Sequence, residues 1–588
     1  MKKPLAPPLF SLRAKPMHWL VQFCILCCMG MGSWAHAEPD QKYLVLCYHS
    51  VPTVFNGDPD GVSVLNLAQQ LAWLRESGYT AISMQDVIKA KHGMKPLPER
   101  AFLLTVDDGF ADFYTHVFPL LKLFKVPAVF GLVGRWIEEP TVSQNETDPY
   151  FRQQRFVTWA QVKEMSDSGW VEIASHSYDL HHGIVANPQG NVKPAAVTLQ
   201  YDKATKRYET PEQQRLRVRK DLEKNAALIE KHTGKPPRIM VWPYGAMDSV
   251  GVQEAASAGM PINFTLRDGL ASTADIQAVE RSLVGEELLL NKFSYMVKYG
   301  IPRQNVDPLR AINVNLDRIY DKNPAAQEEK LGRLIEQIRR LEINTVVINP
   351  FAETSTQVST DTSAEVSSEA TTEASAPENQ AETSLRQAYF PNSVLPMRTD
   401  LLNRVTWQLR SRTSVNVYLH IPTSTIAQAK EGTWHTLDYA NPQQREQLLT
   451  LYGDLSQHAT AQGLLFDKDA GDPEATIFNK AVVQRMRYFK PSILSVVADG
   501  NAPQEPVSEA IATAVNVVQS SAKQTPELVV IGVKGAGNEA FADAVEKIRF
   551  FQRMGVSHFM LNSDDFLDDP QRFEQVRKAF SLKENPFL

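Results

Sequence analysis

Strand-type and helix-type segments alternate along most of this chain, and that alternation constrains its fold more than any other feature. Residues 43–47 form an unbroken apolar run, and residues 101–106 are apolar except for Thr105, which is the pattern of strands buried on both faces of a sheet. Segments with helical periodicity follow them, such as residues 67–77, which end before the helix-stopping Gly78. The alternation predicts an α/β fold built on a parallel sheet or a (β/α) barrel.

Length and local composition divide the chain into domains. Its 588 residues exceed one ordinary core, and the alternation weakens around residues 297–308, which include two prolines. We therefore predict one domain at residues 40–300 and a second at 310–588. Residues 183–208 are polar and irregular, which predicts a surface insertion in the first domain. In the second, residues 353–385 contain no Lys, Arg or aromatic residue, which predicts a disordered insertion.

Polar residues follow four of the predicted strands of the first domain. They are His49, the pair Asp107–Asp108, His176, and the segment Trp242-Pro243-Tyr244. The carboxyl ends of strands in barrels and open α/β sheets converge on the ligand site. We therefore expect these side chains to lie around one cleft.

A second histidine, His181, comes five residues after His176. This spacing does not place both imidazoles on one face of a helix, but a loop after a strand can bring them together. One carboxylate and two imidazoles, with positions left for water and substrate, form the ligand set of a metal hydrolase. Zinc, iron, cobalt and nickel all suit such a set, so the pattern does not identify the metal.

Each of these signals has a structural alternative when taken alone. An Asp-Asp-Gly sequence is common in turns, and single histidines are often surface residues or hydrogen-bonded core residues. His182 competes with His181 as a ligand. The occurrence of polar residues at four strand ends of one domain favours a site over these alternatives.

Three of the segments resemble motifs of the polysaccharide deacetylase (NodB-homology) family of carbohydrate esterases. Residues 105–109, Thr-Val-Asp-Asp-Gly, resemble its first motif, and residues 238–245 its Arg…Pro-Tyr motif. Residues 176–181 are similar to its histidine motif, with one extra residue between the histidines. This spacing, the Tyr-His-Ser at 48–50 and the large second domain resemble the branch that deacetylates poly-β-1,6-N-acetyl-D-glucosamine during biofilm export. In that branch a late histidine motif is permuted to the N-terminus, which makes His49 its equivalent.

The resemblance implies a fold, a cofactor and a set of roles. It implies two (β/α) barrel-like domains, the first a distorted NodB-type deacetylase barrel and the second a TIM-like barrel of the glycoside-hydrolase type that binds the polymer. It also implies a divalent metal, which activates water and the acetamide carbonyl. The implied assignments are Asp108, His176 and His181 as metal ligands, Asp107 as general base, His49 as the acid for the leaving amine, and the Tyr244 backbone N–H as oxyanion donor.

Four further residues are candidates for substrate binding. Arg238 either orients Asp107 or is a surface cation at the start of a strand. Trp242 either shapes a sugar pocket or packs in the core. In the second domain, Asp467 and Asp469 alternate at a strand end and either face a polymer cleft or form a solvated pair. The solvated pair is the interpretation we adopt, and it predicts weak or no glycosidase activity, because a glycosidase needs two positioned carboxyl groups.

The N-terminus predicts export. An apolar run at residues 19–34 follows basic residues and precedes an Ala-His-Ala cleavage signal, so residues 1–37 are expected to be a signal peptide. A lipoprotein signal ending at one of its three cysteines is the alternative. Only Cys47 then remains, which excludes an internal disulfide. We expect a monomer in the periplasm, associated with the outer membrane, and the resemblance implies an export porin as a partner.

The net charge of −6 provides no basic field for nucleic acid. The leading hypothesis is therefore a metal-dependent N-deacetylase of poly-N-acetylglucosamine. The alternatives are a non-catalytic glycan-binding or export scaffold, and a deacetylase of another sugar or of peptidoglycan.

Overall fold

The computed structural model describes residues 40–54, 57–140, 155–299, 309–353, 384–430, 433–466, 472–499, 527–533, 545–546, 548–549, 552 and 558–584. The expected signal peptide, most of the 353–385 insertion, Asp467 and Asp469 lie outside these residues. The α/β class is confirmed, because both main sheets consist largely of parallel strands connected by helices.

The first domain contains thirteen strands among its described residues. They are β1 (Lys42–Tyr48), β2 (Thr80–Ala81), β3 (Ala101–Val106), β4 (Ala128–Leu132), β5 (Val171–Ser175), β6 (Gly183–Val185), β7 (Val192–Pro194), β8 (Tyr201–Asp202), β9 (Arg207–Tyr208), β10 (Ile239–Val241), β11 (Ile262–Phe264), β12 (Ala271–Ser272) and β13 (Ser282–Leu283). Its α-helices are α1 (Val64–Glu76), α2 (Met84–Lys91), α3 (Phe118–Phe124), α4 (Gly134–Glu138), α5 (Trp159–Asp167), α6 (Pro211–Thr233), α7 (Ser249–Ser257) and α8 (Leu290–Tyr299).

Nine of these strands form one sheet, in which β11, β10, β5, β4, β3, β1 and β12 lie in that order. All pairs in this row are parallel except β1 with β12, while β2 adds to β3 and β13 adds to β1. Residues 279–283 connect the two sides of the sheet: Val279 pairs with Phe264 of β11, and Ser282 pairs with Leu46 of β1. The strands therefore surround a common interior.

Local sequence explains the main elements of this domain. Strands β3 and β4 are buried at every position, as their largely apolar sequences predict. The long helix α6 begins with a capping box at Thr210, has proline at its first position, and ends at the left-handed Gly234. Phe113 stacks on Phe130 with ring centroids 3.8 Å apart, which fixes the turn after the acid pair against β4.

The described strands of the second domain are β14 (Arg310–Asn315), β15 (Thr345–Asn349), β16 (Phe351–Glu353), β17 (Leu385–Ala388), β18 (Asn416–Ile421), β19 (Ala427–Lys430), β20 (Thr433–Thr436), β21 (Gly463–Phe466), β22 (Ser492–Asp499), β23 (Glu527–Val533) and β24 (Phe559–Leu561). The helices are α9 (Pro324–Leu341), α10 (Leu402–Thr413), α11 (Pro442–His458), α12 (Pro473–Arg485) and α13 (Pro570–Phe580). Seven parallel strands, β14, β15, β18, β21, β22, β23 and β24, form a closed ring. Strands β16 and β17 pair as an antiparallel hairpin on either side of the expected insertion.

Residues 183–208 are not simply a surface insertion, and that expectation was wrong. They form the hairpins β6–β7 and β8–β9, whose polar groups contact the second domain. The Tyr208 hydroxyl donates to Asp400, and the Asn403 side chain donates to the Ala186 carbonyl over 2.9 Å. The segment is polar because it forms hydrogen bonds across an interface between domains. Among the described residues, no helix combines the length and the apolar character needed to cross a bilayer.

Candidate active site

The acid pair lies where β3 ends. All six residues of β3 are buried, and the Asp107 backbone N–H donates to the Tyr48 carbonyl of β1 over 3.0 Å. Asp108 then adopts a left-handed conformation with φ 78°. This turn sends the two carboxylates in different directions, so that adjacent residues enter different surroundings.

Asp108, His176 and His181 form a compact group of three possible metal ligands. Asp108 Oδ1 lies 3.3 Å from Nε2 of each histidine. This oxygen is buried and has no hydrogen-bond partner in the described part of the chain. A buried carboxylate oxygen that faces two imidazole nitrogens and accepts no hydrogen bond fits a metal ion.

The surroundings of His176 also favour a cation at this point. Its Nδ1 lies 2.8 Å from the Val241 carbonyl, so a proton on Nδ1 leaves the Nε2 lone pair directed at Asp108. Although burial opposes a charge, the neighbouring carboxylates of Asp108 and Asp107 raise the pKa of His176. The same field attracts a metal ion.

An irregular turn brings His181 back to His176, as the five-residue spacing requires. Ser177 is left-handed at φ 72°, and its Oγ accepts the Leu180 backbone N–H over 3.1 Å. The Asp221 carboxylate of α6 accepts the N–H groups of Tyr178 and Asp179 at 2.8 and 2.7 Å. Burial raises the pKa of Asp221 to about 7. Asp221 is a positioning residue that the sequence motifs did not indicate.

The structure distinguishes the two adjacent histidines that the sequence leaves as alternatives. His181 lies within the group of three ligands and is only 17% exposed, whereas the His182 side chain is 46% exposed. The carboxylate next to His182 is that of Asp179, whose Oδ1 is 4.0 Å from His182 Nδ1, whereas His181 faces Asp108. His181, and not His182, therefore belongs to the group of possible ligands.

Asp107 is held by Arg281, a residue that the sequence analysis missed. Arg281 Nη1 donates to both Asp107 oxygens at 2.9 Å, and both side chains are almost completely buried. Burial alone would raise the pKa of the Asp107 carboxyl, but the Arg281 guanidinium holds it below its ordinary value. Asp107 is therefore ionised at neutral pH.

Arg238 does not perform the orienting role considered for it. It precedes β10 and lies at the opposite end of that strand from Tyr244. Its guanidinium pairs with Glu172 at 2.6 Å and donates to Gln85 at 2.8 Å. Arg238 is therefore a cation at the start of a strand, as the second interpretation of this residue states.

Trp242 is fully buried and does not line the cleft. Its Nε1 donates to Asn263 Oδ1 over 2.8 Å, and its ring packs among Met240, Ala255 and Met260. The core-packing alternative therefore describes this residue as well, because no face of the ring is available to a sugar.

His49 lies beside Asp107, with its Nε2 4.0 Å from Asp107 Oδ2. Its Nδ1 is buried and has no hydrogen-bond partner among the described residues. Two residues after His49, Val51 is held by the segment that precedes α3: its N–H donates to Asp112 at 2.7 Å, and its carbonyl lies 2.7 Å from His116 Nδ1. His49 thus follows an anchored strand end with one nitrogen directed at the acid pair.

Cys47, His49 and Asp107 form a second group close enough to hold a metal. Burial raises the pKa of the Cys47 thiol well above its ordinary value, which keeps it protonated, whereas a metal binds the thiolate. Arg281 already occupies both oxygens of Asp107. This group therefore fits a metal less well than Asp108 with the two histidines.

Tyr244 borders the ligand group. Its ring centroid is 4.6 Å from that of His181, and the residue is half exposed. Tyr244 is left-handed at φ 59°, like Asp108 and Ser177. Backbone conformations of this kind cost free energy in residues other than glycine and concentrate at functional sites. Three of them around one group of ligands support the assignment of a site here.

Replacement of Arg281 by methionine should destabilise the protein far more than the same change at Arg238. Arg281→Met leaves the buried Asp107 carboxylate unpaired, which costs about 3–5 kcal/mol. Arg238→Met breaks an ion pair whose side chains are 36% and 28% exposed, and such pairs contribute about 0–1 kcal/mol. Chemical denaturation of both variants measures the free energy of unfolding. Equal losses would contradict the roles that we assign to the two arginines.

Two family models match separate parts of the chain. Residues 94–262 match the polysaccharide deacetylase family. Residues 313–362 and 374–506 match a family described as hypothetical glycosyl hydrolase family 13. The first match contains Asp107, Asp108, His176 and His181 and ends before Arg281.

Three similar proteins illustrate the relationship. The chain is 33% identical over 453 residues to the poly-beta-1,6-N-acetyl-D-glucosamine N-deacetylase of Escherichia coli strain K12, a match that covers 74% of this chain and 63% of that protein. The enzyme of the same name from Staphylococcus aureus strain MSSA476 is 21% identical over 238 residues, covering 40% of this chain and 71% of the relative. A solved de-N-acetylase from Aggregatibacter actinomycetemcomitans is 37% identical and covers 43% of this chain and 99% of its own, with a TM-score of 0.40.

The chain thus spans less than two thirds of the length of the Escherichia coli relative. The resemblance seen in the motifs is confirmed by the family match and by these relatives. Residues 94–262 of this chain are thus similar to the polysaccharide deacetylase family and a later part to the glycosyl-hydrolase-like family, and the two relatives compared by sequence are named poly-β-1,6-N-acetyl-D-glucosamine N-deacetylases.

Proposed function

We propose that this protein is a metal-dependent hydrolase that removes acetyl groups from N-acetylglucosamine residues of poly-β-1,6-N-acetyl-D-glucosamine. One observation carries the proposal: the buried Asp108 oxygen faces Nε2 of His176 and His181 and accepts no hydrogen bond from the described residues, while Asp107 stays separately on Arg281. One carboxylate is thus available as a ligand and the other as a base.

Asp108, His176 and His181 would hold a divalent metal, for which zinc, iron, cobalt and nickel are suitable. When bound, such a metal supplies Lewis-acid activation of a water molecule and of an acyl oxygen. The protein contributes the fixed position of the three ligands. His176 is fixed through its Nδ1 contact with Val241, and the turn around Ser177 fixes His181.

Proton transfers fall to residues on either side of this group. Asp107, ionised at neutral pH because of Arg281, accepts the proton of the attacking water. His49, with Nε2 4.0 Å from Asp107, donates a proton to the departing amine nitrogen. The Tyr244 backbone N–H donates a hydrogen bond to the oxyanion that forms at the former carbonyl.

The substrate is proposed from the relatives' printed names, since those proteins are named as poly-β-1,6-N-acetyl-D-glucosamine N-deacetylases. The glycosyl-hydrolase-like domain is proposed to bind the polymer, with Asp467 and Asp469 as solvated residues and little or no glycosidase activity. We further propose that a monomer acts in the periplasm after export, close to the outer membrane and to an export porin.

A non-catalytic scaffold is less well supported, because such a protein has no need for a complete set of buried ligands and a buried base. The main alternative function is deacetylation of another sugar polymer, and the preferred substrate distinguishes the two functions. Activity on N-acetylated peptidoglycan fragments exceeding that on β-1,6-linked N-acetylglucosamine oligomers would favour the alternative.

Asp108→Ala and Asp107→Asn should separate metal binding from catalysis. Asp108→Ala removes a ligand, so bound metal and amine release from β-1,6-linked N-acetylglucosamine oligomers should both be lost. Asp107→Asn keeps the ligands, so metal content should remain while the rate falls by about 10²–10⁴-fold. The exposed acid Asp167 supplies a matched control, and Asp167→Asn should change neither quantity.

Elemental analysis and calorimetric metal titration measure the bound metal. An amine-release assay with and without chelator measures the rate of deacetylation. If chelated wild type remains fully active, metal dependence is wrong. If Asp107→Asn loses metal as completely as Asp108→Ala, the assignment of ligand and base is wrong.

His49→Gln should affect substrates according to their leaving group. An amine must be protonated to leave, so the rate of N-deacetylation should fall by about 10²–10⁴-fold. A phenolate leaves without a proton, so hydrolysis of an aryl acetate should fall by less than about tenfold. Steady-state kinetics on both substrates test the role, and equal losses on both would contradict it.

A further inference from the structure

The second domain contacts the loop that carries Tyr244. Residues 243–249 lead from β10 to α7, and the end of this loop meets Arg487, two residues beyond α12 of the second domain. Arg487 Nε donates to Asp248 Oδ2 over 2.9 Å, and its Nη2 donates to the same oxygen. In the other direction, the backbone N–H and the hydroxyl of Ser249 donate to the Arg487 carbonyl at 2.8 and 2.7 Å.

This contact is buried and held on both sides. The side chains of Arg487 and Asp248 are only 5% and 9% exposed. Within the second domain, the Arg487 backbone N–H donates to Ser456 Oγ, and Nη1 donates to Gln457 Oε1 over 2.6 Å. A guanidinium fixed by so many partners presents one geometry to Asp248, because its fork of donors is rigid.

A short, tightly packed turn connects Asp248 to Tyr244. Asp248 Oδ1 accepts the Gly251 N–H at the start of α7. Gly251 lies against Trp242, where a Cβ atom would be 2.8 Å from the indole. Trp242 in turn directly precedes Pro243 and Tyr244, and its carbonyl accepts the Gly245 N–H over 2.9 Å.

The turn has little freedom to place Tyr244 by itself. Gly245 has φ 63°, and a Cβ there would lie 2.6 Å from the Leu266 backbone nitrogen. Tyr244 is left-handed as well, a conformation that persists only when surrounding contacts hold it. Asp248 provides such a contact, because it accepts hydrogen bonds from Arg487 of the second domain.

We propose that Arg487 is a positioning residue for Tyr244, so that the second domain completes the oxyanion side of the deacetylase site. The proposal rests on the proposed function, in which the Tyr244 N–H stabilises the oxyanion. Arg487 touches neither the metal ligands nor the proton-transfer residues. It therefore acts on the rate of the chemical step and not on metal binding.

The chain offers a matched control at the same interface. Lys490, three residues after Arg487, pairs with Asp275 of the first domain, and these side chains are 55% and 33% exposed. Asp275 lies outside the 243–249 loop. Lys490→Gln therefore weakens contact between the domains without touching the support of Tyr244.

In the full chain, Arg487→Gln should lower kcat for β-1,6-linked N-acetylglucosamine oligomers roughly tenfold to a hundredfold, as expected for a misplaced transition-state donor. KM and metal affinity should change less than about twofold, and Arg487→Lys should recover part of the rate. Lys490→Gln should leave kcat within about twofold of wild type. If Arg487→Gln does not fold, the double variant Arg487→Gln with Asp248→Asn, which leaves no unpaired charge, replaces it.

Hydrogen exchange of the backbone amides of residues 244–249 supplies a readout that does not depend on activity. It should accelerate in the Arg487 variants and remain unchanged in Lys490→Gln. Unchanged exchange, an unchanged kcat, or an equal loss in Lys490→Gln overturns the positioning role. If metal-loaded wild type releases no amine while exchange accelerates only in the Arg487 variants, the proposed function fails and the support of the loop by Arg487 stands.

Discussion

The buried ion pair between Asp107 and Arg281 is the interaction on which the candidate site depends. It joins the end of β3 to residues 279–283, which link β11 to β1 and so connect the two sides of the first sheet. Burial of two charges carries a large desolvation cost, which only close pairing and further hydrogen bonds offset. Arg281 makes such bonds to the Thr265 carbonyl and to Thr105. The pair consequently fixes one member of the acid pair and leaves the other for a different task.

That separation explains how two adjacent aspartates can do different chemistry. The left-handed backbone of Asp108 turns its carboxylate away from Arg281 and towards His176 and His181. The left-handed backbone is tolerated at Asp108 and Ser177 because both residues are buried at packed strand ends. In the proposed function, the site is built around fixed charges whose positions do not need to change during the reaction.

The sequence predicted those parts of the site that lie at strand ends. Asp107, Asp108 and His176 could be located because each follows a short, mainly apolar segment of strand type, and the carboxyl ends of such strands meet. Arg281 could not be located in this way, because it lies 174 residues from its partner Asp107 in a segment without a strand-like pattern. Arg238 was misleading because its motif begins at the far end of β10, a strand length from Tyr244. The interface formed by residues 183–208 was also missed, because a polar interface has the composition of a surface.

Anomalous diffraction from crystals of the cobalt-loaded protein locates the metal without reference to activity. We expect one cobalt ion bound by the Asp108 carboxylate and by Nε2 of His176 and His181, with Asp107 still paired to Arg281 and outside the ligand set. Cobalt bound by Asp107, or bound instead among Cys47, His49 and Asp107, would contradict the division between ligand and base.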